Sequence, residues 1–159
     1  MRAMWALLAV MSVGGAANAQ LAGLSPDQLE AMFREGKADA IPVGACKGKI
    51  LNDLKAKMPR LKIASRQAVW KGKVFYPDGT AINQWAGFKA IKGHLALSPS
   101  WLDGKPCLVL EYEQGTPVFG NTRDELREVA PGVWLGRYYA KCPCGELEGY
   151  FVLTFCGCK

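Results

Sequence analysis

The sequence predicts a mainly β fold in which antiparallel strands close into a barrel, or wrap into a strongly curved sheet, behind one or two N-terminal helices. Two observations carry this prediction. After residue 68 the chain consists of short segments rich in aromatic and β-branched residues, separated by turn signals. Three glycines inside these segments, Gly72, Gly87 and Gly136, suit strands that bend strongly, and a meander that curls onto itself leaves few open edges.

The helices are expected before the strands. Ser25 is a typical N-cap for an amphipathic segment that carries Leu29, Met32 and Phe33, and Gly36 follows it as a typical helix end. The turn-rich stretch 41–48 is expected to be a connector. A second short helix is expected over residues 50–58, with Pro59 stopping it.

The strand segments are bounded by turn residues. Pro77-Asp78-Gly79 predicts a turn after the first of them, and Gly87 is expected to bend the second. The segment 123–129 is compatible with either a helical turn or a strand. The expected strands are 69–76, 82–91, 95–97, 106–113, 133–141 and 150–156.

The N-terminus has the parts of a secretory signal peptide. Arg2 is followed by an apolar stretch over residues 4–13 and by the A-x-A sequence Ala17-Asn18-Ala19. The apolar stretch is shorter than the ~20 residues that a membrane span needs. A buried N-terminal helix is the alternative. We therefore expect a periplasmic or secreted protein without a membrane span, in which residues 1–19 are the signal peptide and residues 20–159 form a single β-barrel-like domain.

Charge and motifs exclude several classes of function. The formal net charge of +6 is mild, and the chain has no Lys/Arg run or aromatic-basic repeat, so nucleic-acid binding is not indicated. No P-loop, dinucleotide fingerprint or HExxH motif is present, and we expect no cofactor. His94 is the only histidine, so a multi-histidine metal site is excluded.

The cysteines predict disulfide chemistry. All six lie after the signal peptide, and an even count in an exported chain favours disulfides. Two C-x-C pairs flank the last expected hairpin and could approach each other across it, whereas a four-thiolate zinc site is the alternative. Cys107 lies in an apolar strand, where it suits a small buried side chain. The residues expected to form disulfides are Cys142, Cys144, Cys156 and Cys158.

The run from Arg123 to Gly136 is the densest charge cluster of the chain. Arg123 and Arg127 pair like charges on either a helical turn or a strand, so a partner must lie between them. That partner is either a carboxylate from elsewhere in the fold or an anionic ligand, because arginine binds carboxylates bidentately. The run is therefore either a structural ion-pair network or part of a ligand pocket.

Other side chains of the strands are candidates for the same pocket. Tyr112 shares a strand face with Leu108 and Leu110 and is expected to point inward, where its hydroxyl needs a partner. Arg137 either faces inward and needs a carboxylate, or faces solvent. The candidate ligand-binding residues are Arg123, Arg127, Tyr112, Trp70, Trp85 and Arg137, and the candidate catalytic carboxylates are Asp103, Asp124 and Glu125.

Three motifs carry a resemblance. Trp70-Lys-Gly-Lys-Val-Phe75, Ser100-Trp-Leu-Asp-Gly-Lys105 and the Arg123–Gly136 run resemble a group of short uncharacterised bacterial proteins with W-x-G-K-x-F, S-W-x-D-G-K and R-D-E-x-R-E-V-x-P-G-x-x-L-G motifs. The likeness covers residues 40 to 155 and extends distantly to lipocalin-like domains. It implies a barrel fold and no particular reaction. The chain departs from the pattern at Glu111, where the group has Asp, and in its C-x-C pairs.

These observations predict an exported protein that holds a small apolar or amphiphilic molecule in a β-barrel, since an eight-stranded barrel can enclose one small ligand. Apolar burial would bind the ligand, while Arg123, Arg127 and Tyr112 would orient its polar end. The first alternative is a small acid/base enzyme of the isomerase or lyase type, with a carboxylate as base and arginines as electrostatic stabilisers. The second is a structural envelope protein without a ligand.

Overall fold

The computed structural model describes residues 19–55, 59–113, 115–116, 119–141 and 145–155. Eight antiparallel strands form one closed barrel, in which each strand pairs with the next along the chain and the last pairs with the first. The predicted mainly β barrel is therefore confirmed, in its closed form. The elements are α1 (Pro26–Glu35), β1 (Gly44–Asp53), α2 (Pro59–Val69), β2 (Trp70–Phe75), β3 (Thr80–Trp85), β4 (Phe88–Pro99), β5 (Pro106–Tyr112), β6 (Thr122–Ala130), β7 (Val133–Ala140) and β8 (Glu146–Phe155).

The barrel wall has two buried faces. Alternation along β5 illustrates both, because Leu108 and Leu110 point into the barrel while Cys107 and Val109 point outward. One apolar cluster packs inside the barrel. A second cluster lies between α1 and the outer surface of the wall, so the outward face of β5 to β8 is covered rather than solvated.

Helix α1 is the element that covers this outer face. Its N-terminus is a capping box, in which the Ser25 side chain accepts from the Gln28 backbone and the Gln28 side chain accepts from the Ser25 backbone. Leu29 and Phe33 are completely buried against the wall. Burial of each such side chain stabilises the fold by about 1.5–3 kcal/mol. The predicted helix and its Ser25 cap are confirmed.

Two predictions about residues 41–59 are wrong. Residues 44–53, expected as connector and helix, form β1, which pairs with both β2 and β8 and closes the barrel. Helix α2 begins at Pro59 instead of ending there. Proline is tolerated in the first turn of a helix because the N–H that it lacks has no helical partner at that position.

Two further segments differ from the sequence prediction or resolve it. Gly87 adopts φ +89° in the hairpin turn between β3 and β4, so the expected single strand 82–91 is two strands. Residues 123–129 are strand β6 and not a helical turn. Among the described residues, no helix is long and apolar enough to cross a membrane. The expected signal-peptide residues before Ala19 lie outside the described residues.

A bulge at Gly72 decides which side chains of β2 enter the barrel. The register against β3 shifts between Trp70 and Gly72. Gly72 has φ +137°, and a Cβ placed there would lie 2.1 Å from the carbonyl oxygen of Cys46. Strict alternation would put Trp70 and Lys73 on opposite faces, whereas the extra residue of the bulge brings both into the interior.

Replacing Gly72 by alanine is expected to prevent this arrangement. The new Cβ would collide with backbone that cannot move away without breaking the β1–β2 pairing, and the positive φ adds strain. We expect Gly72→Ala to lower the free energy of unfolding by about 3 kcal/mol or more, measured by urea denaturation.

Gly44→Ala is the matched control, because Gly44 also has a positive φ (+114°) but has no atom within 4 Å of the new Cβ. Gly44→Ala should lower the free energy of unfolding by only about 1 kcal/mol. Equal losses in the two variants would show that close approach of the backbone at Gly72 does not constrain the barrel.

Candidate functional site

The barrel contains a cavity of about 150 Å³ that opens to solvent at the end where α2 crosses from β1 to β2. An apolar cavity of roughly this volume can hold a benzene-size molecule. Arg66 and Glu148 contribute to its lining along with the buried polar side chains Lys73, Asn83 and Asp124. Its aromatic walls come from Trp70, Trp85, Tyr112, Phe119, Tyr138 and Phe151.

Lys73 is the centre of the polar part of this cavity. Its side chain comes from β2, and the residue is only 2% exposed. The ammonium Nζ donates to Asn83 Oδ1 at 2.9 Å and to the Tyr112 hydroxyl at 2.5 Å, and it lies 3.2 Å from Asp124 Oδ2. Two of its three N–H donors are therefore used in hydrogen bonds, and the ion pair with Asp124 balances its charge.

Tyr112 and Asn83 join Lys73 to the rest of the wall. The Tyr112 hydroxyl donates to Asp124 Oδ2 at 2.7 Å. Asn83 Oδ1 also accepts from the indole Nε1 of Trp70 at 2.9 Å, while its amide Nδ2 donates to the Ile91 carbonyl at 3.2 Å. The buried amide is thus bonded through both of its polar atoms, which fixes its orientation.

Backbone strain at Ile91 accompanies this bond. Ile91 adopts φ +66°, a value that a β-branched residue rarely takes. It is the extra residue of β4 where the register against β3 shifts between Ile82 and Asn83. The bulge turns the Ile91 carbonyl toward the Asn83 side chain, so a strained backbone helps to place the polar atoms of the cavity.

The electrostatics of the network balance internally. Burial, with the adjacent Asp124 carboxylate as the second cause, raises the pKa of Tyr112 well above its ordinary value, so Tyr112 remains a hydrogen-bond donor. Lys73 Nζ lies 5.1–5.7 Å from the ring centres of Tyr112, Phe151 and Trp70, within the range of cation–π attraction. The single positive charge and the single negative charge face each other.

Two polar atoms in the buried part of the lining remain open. Asp124 makes both of its contacts through Oδ2, and its Oδ1 has no hydrogen-bond partner among the described residues. The indole Nε1 of Trp85 is buried and likewise lacks a partner in the part of the chain that the structure describes. The buried part of the cavity therefore presents one open acceptor and one open donor beside its aromatic walls.

Arg127 was expected to orient a ligand inside the barrel, but it points outward from β6. It is 1% exposed, and all five of its N–H donors are used. Two bonds hold Asp103 bidentately at 2.8 and 2.9 Å. The other three reach the carbonyls of Phe33, Lys105 and Pro106. Arg127 thus fastens α1 and the β4–β5 loop to the wall.

Arg123 and Glu125 also lie on the outer face, where they form part of a structural ion-pair network and do not line the pocket. Arg123 donates twice to Glu125 Oε1, at 3.0 and 3.1 Å, and its guanidinium stacks 4.4 Å from the Trp101 ring centre. Glu125 also accepts from the Ser100 hydroxyl at 2.5 Å and from the Trp101 backbone at 2.8 Å. These charges hold the β4–β5 loop, because the odd-numbered residues of β6 face outward.

Arg137 lies on the outer wall under α1, where it is neither in the cavity nor solvated. It is buried, and Glu30 of α1 approaches its Nη2 at 3.6 Å. The rings of Phe33, Tyr139 and Tyr150 surround the guanidinium at 5.4–5.5 Å. Its Nε and Nη1 have no hydrogen-bond partner among the described residues.

Of the predicted site residues, four reach the cavity, namely Trp70, Trp85, Tyr112 and Asp124. The inward orientation of Tyr112 follows the predicted alternation. Lys73 and Asn83 were not predicted. The glycine inside the Trp70–Phe75 motif was the available signal for Lys73, because a bulge there changes which residues share a face.

The structure describes two of the six cysteines. Cys107 is buried in the apolar outer cluster, as predicted, and burial raises the pKa of its thiol to about 12. The predicted disulfide residues Cys142, Cys144, Cys156 and Cys158 lie outside the described residues. No group of three or more His, Cys, Asp or Glu residues that could hold a metal occurs within the described ranges.

The Arg127–Asp103 pair predicts acid sensitivity. The guanidinium lowers the pKa of Asp103 from 3.8 to about 2, so the stabilisation is complete above the unfolded-state pKa and is lost as the pH falls through the folded-state pKa. We expect the free energy of unfolding to fall by about 2 kcal/mol between pH 4.5 and pH 1.5 from this group.

Asp103→Asn should remove this component of the pH dependence and lower stability at pH 7 by about 3 kcal/mol, because it leaves Arg127 buried without its carboxylate. Glu111→Gln is the control. Glu111 forms an exposed pair with Lys141, and its loss should cost less than about 1 kcal/mol. An unchanged acid transition in Asp103→Asn would contradict the assigned role of the pair.

Comparison with known proteins gives a likeness of fold. No family model and no characterised protein matches the chain. A crystal structure of a protein from Thermomonospora curvata superposes with a TM-score of 0.60 over 89% of this chain and 95% of that chain, at 14% sequence identity. At this identity the likeness shows that the two proteins share the barrel architecture, and it carries no activity from one to the other.

Proposed function

We propose that this protein binds a small apolar or amphiphilic molecule inside the barrel, in the cavity at the α2 end. The observation that carries the proposal is a buried polar network set among six aromatic side chains around an open volume. Ligand sites are typically concave and apolar, with a few convergent polar groups that orient the ligand. The polar groups here are those of Lys73, Asp124 and Tyr112 rather than the arginines of β6.

The cost of the network supports a ligand-binding role. Taking a lysine and a carboxylate out of water costs several kcal/mol per ion, and well-packed apolar residues are often as stable in their place. The far part of the same barrel interior is filled with apolar side chains such as Leu108, Leu126 and Leu153. A charged pair at the cavity is better accounted for by recognition of a ligand than by stability.

We also propose that the protein is exported. The basic, apolar and A-x-A segments over residues 1–19 are the basis for placing the protein in the periplasm or outside the cell. A binding protein there would carry or sequester its ligand without needing a cofactor.

Acid/base catalysis is the second candidate, and one observation favours it. Asp124 is the only predicted catalytic carboxylate that lines the cavity, and its Oδ1 has no hydrogen-bond partner among the described residues. A carboxylate oxygen beside bound substrate could accept a proton in an isomerase- or lyase-type reaction. Asp103 and Glu125 are held on the outer wall by Arg127 and Arg123 and are no longer candidates.

Native mass spectrometry of the protein isolated from its own source tests the proposal. We expect a bound molecule of about 80–150 Da, the mass of a benzene-size ring with small substituents. Lys73→Met should lose that molecule, because the methionine keeps the length of the side chain but removes the ammonium that positions Tyr112 and Asp124.

Lys105→Met is the control, since Lys105 is exposed in the β4–β5 loop. It should retain the adduct. A protein that carries no adduct, and that takes up none from extracts of its source cells, would contradict the binding function. If the intact protein converts the released molecule into a product, the acid/base enzyme is the better assignment.

A further inference from the structure

We propose that the cavity selects a neutral molecule with a benzene-size apolar body and one hydroxyl group, the class to which phenol belongs. This inference rests on the proposed binding function and adds the ligand class. It follows from three properties of the lining, namely its size, its charge balance and its two open polar atoms.

The size and the walls set the body of the ligand. A volume of about 150 Å³ accommodates a single ring, and the surrounding rings favour flat apolar or aromatic faces. Aromatic contacts already organise this wall, since Phe119 meets Trp85 at 5.9 Å and Tyr112 at 5.3 Å between ring centres. A ring that enters the cavity would extend these contacts.

The charge balance disfavours ionic ligands. An anion would need a donor from Lys73 or from Arg66, the two cations of the lining. Lys73 already donates to Asn83 and Tyr112 and pairs with Asp124. Arg66 is paired with Asp53 at 3.1 Å. A cation would meet Asp124, which Lys73 already neutralises at 3.2 Å. The other carboxylate of the lining, Glu148, is balanced in charge by Arg66, so the lining is neutral as a whole. A buried charge without a dedicated partner carries a large desolvation cost, so both kinds of ion should bind weakly.

The open polar atoms set the functional group. Asp124 Oδ1 can accept a hydrogen bond, and Trp85 Nε1 can donate one. A hydroxyl both donates and accepts, so it suits a lining that offers one of each. An analogue without the hydroxyl would leave these atoms unpaired, and sites built around a hydroxyl reject such analogues strongly.

A panel of four ligands of similar size tests this class on the full-length protein. Phenol, toluene, benzoate and benzylammonium are titrated at pH 7, with calorimetry and with the fluorescence of the cavity tryptophans Trp70 and Trp85. We expect phenol to bind at least tenfold more tightly than toluene, and both ions to bind at least tenfold more weakly than phenol.

Trp85→Phe tests the role of the indole N–H, because it removes the donor and keeps an aromatic ring. It should weaken the binding of phenol about tenfold and change the affinity for toluene by less than twofold. Trp101→Phe is the matched control, as Trp101 lies on the outer wall against Arg123 and Tyr139 and is half exposed. It should change neither affinity.

The outcomes separate the two proposals. Equal binding of phenol and toluene, or preference for either ion, would overturn the ligand class and leave the binding function intact. If none of the four ligands binds and no molecule co-purifies with the protein, the binding function itself is overturned. The wild-type affinity ratios decide the class even where Trp85→Phe does not fold.

Discussion

The alternation of side chains across a closed barrel wall is the constraint on which the rest of this structure depends. On β6 it divides one charged run into two sets with different tasks. Arg123, Glu125 and Arg127 face outward and fasten the β4–β5 loop and α1 to the wall, whereas Asp124 faces inward and meets Lys73. A shift of one residue would reverse these assignments and place the arginines in the apolar interior.

Closure of the barrel makes the interior small, and two bulges make it polar at one end. The bulge at Gly72 brings Lys73 inside beside Trp70, and the bulge at Ile91 aims a carbonyl at Asn83. Both irregularities serve the same four-residue network of Lys73, Asn83, Tyr112 and Asp124. Among the described residues, three other register shifts occur in the barrel, and two of them also lie at residues of the cavity lining, Ile50 and Tyr138. Bulges are over-represented next to functional sites.

Much of the fold could be predicted from the sequence, because local signals determined it. The Ser25 cap identified α1, and alternation identified β5 and the inward Tyr112. Strand β1 was not predicted, because its glycine-rich sequence has a weak strand preference of its own. Pairing with two distant strands, β2 and β8, stabilises it as a strand. The direction of the β6 arginines could not be predicted, since a strand buried on both faces gives no polarity signal, and Lys73 depended on a bulge that alternation alone conceals.

We propose that the buried network serves recognition rather than folding. The triple replacement Lys73→Met, Tyr112→Phe and Asp124→Leu tests it most directly, because it removes the ionic and phenolic groups together while Asn83 keeps its bonds to Trp70 and Ile91. We expect this variant to be at least as stable as the wild type in urea denaturation, and to carry no bound molecule in native mass spectrometry. A variant that is less stable by several kcal/mol yet still carries the bound molecule would show that the network serves folding.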